Sequence, residues 1–162
     1  MYPPELVRTA AALSEKARAK GIMLATAESC TGGLVAALLT EIPGSSDIFD
    51  RGFVTYTLNA KTQVLGVPQS LLKDKGSVSE ATARAMVRGA LASSNADIAV
   101  AITGIAGPGG GSSEKPVGLV HFAAEKASGK VLVRKMEYGA LGRDRVRLAS
   151  VATALELMYL LL

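Results

Sequence analysis

The chain has one cysteine, one histidine and no tryptophan. A lone cysteine excludes an internal disulfide and a zinc site built on several thiolates. It suits a reducing compartment, so the reading is cytoplasmic. The single histidine, His121, lies within the apolar run VGLVHFAAE and reads as a sheet-face residue. Catalysis that pairs serine or cysteine with histidine is therefore disfavoured. Neither HExxH nor a His/Cys cluster is present, so no metal and no cofactor are expected. Aromatic residues make up 4% and the formal charge is only +4, without a basic stripe carrying stacking aromatics. That disfavours nucleic acid as a partner. The nearest cationic concentration is Arg143, Arg145 and Arg147 in GRDRVRLAS, either a solvated helix face or a grip on a small anion. No long hydrophobic run appears. TALELMYLLL is too short and interrupted to span a bilayer and reads as a buried helix or a subunit contact. MYPPELVRTA lacks the regions of a signal peptide.

What is present suits an ordinary globular core. Of the 162 residues, 49% are hydrophobic and 20% charged, and the expectation is one domain over 1–162. Residues 4–20 repeat apolar positions at helical spacing and stop at Gly21. IMLATAES reads as a buried strand, 31–41 as a helix, and GFVTYT (52–57) as a strand. Helices follow over 59–65 and 79–93, the second capped by Ser79. DIAVAIT (97–103) is a strand buried on both faces. VGLVHFAAE and KVLVRKMEY form a hairpin about Ser128-Gly129, and 143–161 is the last helix. The order predicts a three-layer α/β/α sandwich with a mixed, mostly parallel sheet.

Three stretches could carry chemistry. In AESCTGG (27–33) a strand runs into a helix through small residues. Unpaired N–H groups at such a turn can bind an oxyanion, with Ser29 or Cys30 as nucleophile; alternatively Ser29 or Thr31 merely caps the helix. In TYTLNAK (55–61), Tyr56 ends a strand and Lys61 follows. A desolvated lysine could deprotonate a serine; the plain alternative is an exposed helix lysine. In ITGIAGPGGGSSEKPVG (102–118) a buried strand enters a glycine loop, beyond the end of which ligands of α/β sheets gather.

Taken together, TAESCTGGL, PGSS, RGFVTY, the AK pair before LGV, VSE, TGIAGP, GGS and KPVG resemble the CinA C-terminal domain family, in order and with matching spacing from about residue 22 to 147. That resemblance implies a single-domain nicotinamide-nucleotide amidase. Such an enzyme hydrolyses the carboxamide of nicotinamide mononucleotide to nicotinic acid mononucleotide and ammonia in pyridine nucleotide salvage. It implies a small-molecule nucleotide partner, a homo-oligomer, no metal, and a serine acting with a lysine. On this chain these are Ser29 and Lys61, with Tyr56 aiding proton transfer. The N–H groups of Cys30, Thr31, Gly32 and Gly33 would hold the oxyanion. Thr103, Gly104 and Arg143 would contact the ligand. Cys30, beside Ser29 on a strand where neighbours face opposite ways, reads as packing. The chain departs from the family pattern at Leu58 and Asn59, and at Leu141 and Gly142. Other readings are a non-catalytic nucleotide-binding module and a partner-binding role linked to competence or damage.

Overall fold

The computed structural model describes residues 2–162. Helix α1 (Pro4–Lys20) starts with proline at its first position and ends at Gly21 in the left-handed region. Strand β1 (Leu24–Glu28) is buried throughout. Helix α2 spans Leu34–Glu41, and a 3-10 turn, Ser45–Asp47, leads to β2 (Phe49–Val54). Helices α3 (Leu58–Leu65), α4 (Gln69–Lys75) and α5 (Glu80–Ala92) follow. Strands β3 (Ile98–Gly104), β4 (Leu119–Lys126) and β5 (Val131–Glu137) precede α6 (Arg143–Leu161).

The sheet order is β2-β1-β3-β4-β5. Strands β2, β1 and β3 are parallel; β4 runs against both β3 and β5, so four of the five strands share one direction. The fold class read from the sequence is the one observed. Helices α1, α2 and α6 cover one face and α3 to α5 the other. The two faces are unequal. Ile98, Val100 and Ile102 of β3, with Val120 and Phe122 of β4, fill the α1/α2/α6 side. Ala25, Ala27, Ala99, Ala101 and Ala123 face α5. Small side chains there let α5 approach the sheet, and strand alternation keeps the larger ones on the thicker side. The apolar C-terminal run is a buried helix: Val151, Leu155, Met158 and Leu161 pack into the core, and α6 lies against α1. Among the described residues no helix is long and apolar enough to cross a membrane.

Three boundaries differ from the sequence reading. Helix α2 begins at Leu34 rather than 31, because Gly32 and Gly33 take positive φ and residues 29–33 form a turn. Strand β2 covers Phe49–Val54 rather than 52–57, which leaves Tyr56 in the link to α3. Helix α4 was not foreseen: seven residues between Pro68 and Gly76, with only Leu72 buried, carry too little periodicity to read. Ser79 caps α5 as expected, accepting from Thr82 N at 3.1 Å.

The turn 29–33 is fixed by a residue that the sequence reading left without a role. Neither Ser29 nor Thr31 caps α2. The fully buried Glu28 does so, accepting from the N–H groups of Gly33 (3.0 Å), Val35 (3.1 Å) and Ala36 (2.9 Å). A carboxylate at a helix N-terminus satisfies orphan donors and meets the positive end of the dipole. Glu28→Ala should destabilise the chain by about 3 kcal/mol, since three buried N–H groups lose a charged acceptor. The check is a lower urea midpoint than that of wild type.

Candidate active site

The carboxyl ends of the parallel strands β2, β1 and β3 lie side by side, and the chain continues past each in register. Ser29 N donates to Ile102 O (3.0 Å) and Thr55 N to Glu28 O (2.9 Å). Ser29, Thr55 and Thr103 therefore stand at one edge of the sheet, where open α/β folds bind ligands. A cavity of about 600 Å³ opens there, lined by Ser29, Cys30, Tyr56, Leu58, Lys61, Thr103 and Arg143 among others. That volume lies in the usual range for small-molecule sites.

Ser29 and Lys61 meet at the floor of this cavity. Lys61 comes from α3, which Thr57 caps by accepting from Ala60 N at 3.1 Å. That short helix carries Lys61 inward to 1% exposure. Its Nζ donates to Thr55 O at 2.7 Å and lies 2.9 Å from Ser29 Oγ. No carboxylate pairs with it among the described residues. Burial without a counter-ion disfavours the ammonium and lowers the Lys61 pKa from 10.5 to about 8. A fraction of the side chain is then free amine near neutral pH. With Thr55 O holding one N–H, the amine lone pair can accept the Ser29 hydroxyl proton.

Cys30 differs from its neighbour. It is 5% exposed, belongs to the core cluster, and burial pushes its thiol up to about 11. A thiol so poorly ionised is a weak nucleophile at neutral pH.

The other predicted residues divide. Thr103 and Gly104 line the cavity, and Thr103 Oγ1 donates to Ser77 O at 2.6 Å, tying β3 to the segment before α5. Arg143 lines it as well; its Nη1 donates to Gly107 O and its Nη2 to Tyr56 Oη, both at 2.9 Å. Tyr56 is 58% exposed and makes no hydrogen bond to Lys61 or Ser29. Outside β2, its hydroxyl accepts from Arg143. Of the four N–H groups assigned to the oxyanion, two are engaged. Gly33 N donates to Glu28 and Gly32 N to Ser29 O (3.0 Å), while Cys30 N and Thr31 N have no protein acceptor among the described residues. Thr31, Gly32 and Gly33 do not line the cavity. His121, paired in register with Thr103, does not line it either.

Several contributors were not read from the sequence. Lys115 lines the cavity and donates to Lys75 O at 2.8 Å, and Ser112 N donates to Lys115 O, so the glycine loop is folded on itself. Leu58, one of the departures from the family pattern, lies at the mouth, 53% exposed. Arg147, half-buried beside the Ser29 turn, donates to two of its carbonyls. The signal available was spacing: Arg143 and Arg147 are four apart and share a helix face. Lys61, Lys115 and Arg143 give the cavity three cationic side chains, and no carboxylate residue lines it.

A family model described as the CinA C-terminal domain matches residues 7–162. The nicotinamide-nucleotide amidohydrolase PncC of Escherichia coli (strain K12) is 45% identical over 159 residues, covering 98% of this chain and 96% of that protein. A putative competence-damage inducible protein of Caldicellulosiruptor bescii is 48% identical over 134 residues, but the match takes up only 32% of its length. With a second such protein, from Symbiobacterium thermophilum, the share is 24%. The chain thus spans about a quarter to a third of these longer relatives. The crystal structure of the competence/damage inducible protein CihA from Agrobacterium tumefaciens superposes with a TM-score of 0.98 at 53% identity, covering 99% of this chain and 98% of that one.

Proposed function

The chain belongs to the CinA C-terminal domain family, and from that membership and the Ser29–Lys61 contact we propose that it is a nicotinamide-nucleotide amidase. The substrate is nicotinamide mononucleotide, and the products are nicotinic acid mononucleotide and ammonia, within pyridine nucleotide salvage. The observation that carries this reading is the 2.9 Å approach of a buried lysine to a serine hydroxyl on the floor of a cationic cavity.

The proposed reaction proceeds in two stages through an ester on Ser29. Neutral Lys61 takes the Ser29 proton as Oγ attacks the carboxamide carbon. The carbonyl oxygen becomes an oxyanion and meets the N–H of Cys30, which lines the cavity and has no backbone acceptor among the described residues. Lys61, now an ammonium, returns the proton to the leaving nitrogen, and ammonia departs. A water molecule then gives its proton to Lys61 and attacks the Ser29 ester; Lys61 passes that proton to Ser29 Oγ as the ester bond breaks and the acid leaves. Arg143, with Tyr56 beside it and Lys115 across the cavity, grips the nucleotide phosphate, for which a guanidinium fork is suited. Residues 1–162 act as one domain, and the protein works as a homo-oligomer without a metal.

Purified protein with chelator present should release ammonia from nicotinamide mononucleotide and form nicotinic acid mononucleotide in equal amount. Free nicotinamide, which lacks the phosphate that Arg143 and Lys115 would hold, should be hydrolysed with a kcat/KM lower by roughly 100-fold or more. Equal rates on both compounds would refute the nucleotide reading.

A further inference from the structure

We propose that Arg147 is a positioning residue for the reaction, acting through the carbonyls of the Ser29 turn to hold the oxyanion-binding N–H of Cys30 toward the cavity. The inference rests on the amidase reading above.

Arg147 Nε donates to Cys30 O at 3.1 Å and its Nη2 to Thr31 O at 3.0 Å. These partners lie 117 and 116 residues away in sequence, so α6 reaches across the molecule to hold one turn. No carboxylate pairs with Arg147 among the described residues. Its guanidinium is therefore committed to two backbone oxygens of the residues that follow Ser29.

The consequence comes from peptide geometry. The only cis bond among the described residues is Gly107-Pro108, so the peptide between Cys30 and Thr31 is trans. In a planar trans peptide the C=O and the N–H point to opposite sides. Holding Cys30 O toward α6 therefore turns Thr31 N–H away from it. Holding Thr31 O toward α6 likewise turns Gly32 N–H away from it to donate to Ser29 O, and that bond turns Cys30 N–H outward. Cys30 lines the cavity, and its N–H has no backbone acceptor among the described residues. Arg147 does not line the cavity, whereas Ser29 and Cys30 do, which places the guanidinium behind the turn. A cation on the carbonyl oxygen also polarises its peptide and strengthens the N–H as a donor.

This assignment explains Gly32, which the catalytic steps leave unused. Its φ is +60°, and a Cβ there would stand 3.2 Å from Arg147 Nη2. Glycine supplies the left-handed turn and leaves room for the guanidinium. Glu28 of β1 fixes the far end of the turn where it enters α2, and Arg147 of α6 fixes the near end.

The test compares Arg147→Met, Arg147→Lys and Arg147→Ala with wild type, using Arg145→Met as control because Arg145 is exposed and makes no side-chain hydrogen bond among the described residues. Losing the orientation of oxyanion donors should lower the kcat of folded Arg147→Met by roughly 30-fold or more while KM stays within about threefold. Arg147→Lys cannot bind both carbonyls in a fork and should be intermediate. Guanidinium chloride at a non-denaturing concentration should raise the kcat of Arg147→Ala but not that of wild type, an effect a purely structural role would not produce. Wild-type kcat in folded Arg147→Met overturns the inference; if that variant does not fold, wild-type kcat in Arg147→Lys does the same. Absence of guanidinium rescue also counts against it. A wild type that releases no ammonia overturns the amidase reading and this inference with it, so the two failures are distinguishable.

Discussion

Ser29→Ala should lose turnover by on the order of 10⁴-fold or more while keeping its fold. The hydroxyl lies 2.9 Å from the lysine amine at the cavity floor, and its removal leaves Lys61 still bonded to Thr55 O. Cys30→Ala is the matched control. The thiol is buried in the core cluster and raised to about 11, so it plays no part in attack near pH 7. That variant should keep kcat within about threefold and lose roughly 1 kcal/mol of stability from the vacated volume. Steady-state ammonia release, with thermal melts on the same samples, reads both outcomes. Full activity in Ser29→Ala would remove the serine from the mechanism.

Lys61→Met should be nearly as damaging, with kcat lower by about 10³-fold or more, because no other base approaches Ser29 Oγ. Lys61→Arg should not restore it, since a guanidinium stays charged at any working pH and cannot accept the proton. The methionine variant should melt no lower than wild type at neutral pH: it exchanges an unpaired buried cation for an apolar chain of similar length. Loss of activity is then separated from loss of fold. The pH dependence has a definite sign. Burial disfavours the ammonium and brings Lys61 from 10.5 to about 8, and the active species is the neutral amine. Wild-type kcat/KM should rise about tenfold per pH unit below 8 and level off above it, and the limb should be absent from Lys61→Met. A rate that falls as pH rises through this range would assign the lysine another role.

Much of the fold was legible because its elements carry simple periodicities. The unbroken apolar runs of DIAVAIT and of β1 defined the centre of the sheet, and Gly21 and Ser79 marked helix ends by their own chemistry. Helix α4 escaped because one buried leucine does not make a pattern. The start of α2 was misplaced because its cap comes from Glu28, a residue of the preceding strand rather than of the turn. The site was legible as segments and not as contacts. Motif order drew attention to Ser29, Lys61 and Arg143, but no local spacing conveys that a lysine 32 residues away reaches the serine. The same holds for Tyr56, whose hydrogen-bond partner, Arg143, is 87 residues distant. Glu28 and Arg147 act on backbone groups, which have no sequence signature of their own.

The most direct test of the account is a double-mutant cycle on ammonia release from nicotinamide mononucleotide, with Ser29→Ala, Lys61→Met and the double variant assayed at enzyme concentrations high enough to read the residual rates. If the hydroxyl and the amine act as one unit, the double variant will be about as slow as the slower single one. Losses that multiply across the two sites would mean that serine and lysine serve separate steps, and would contradict the account.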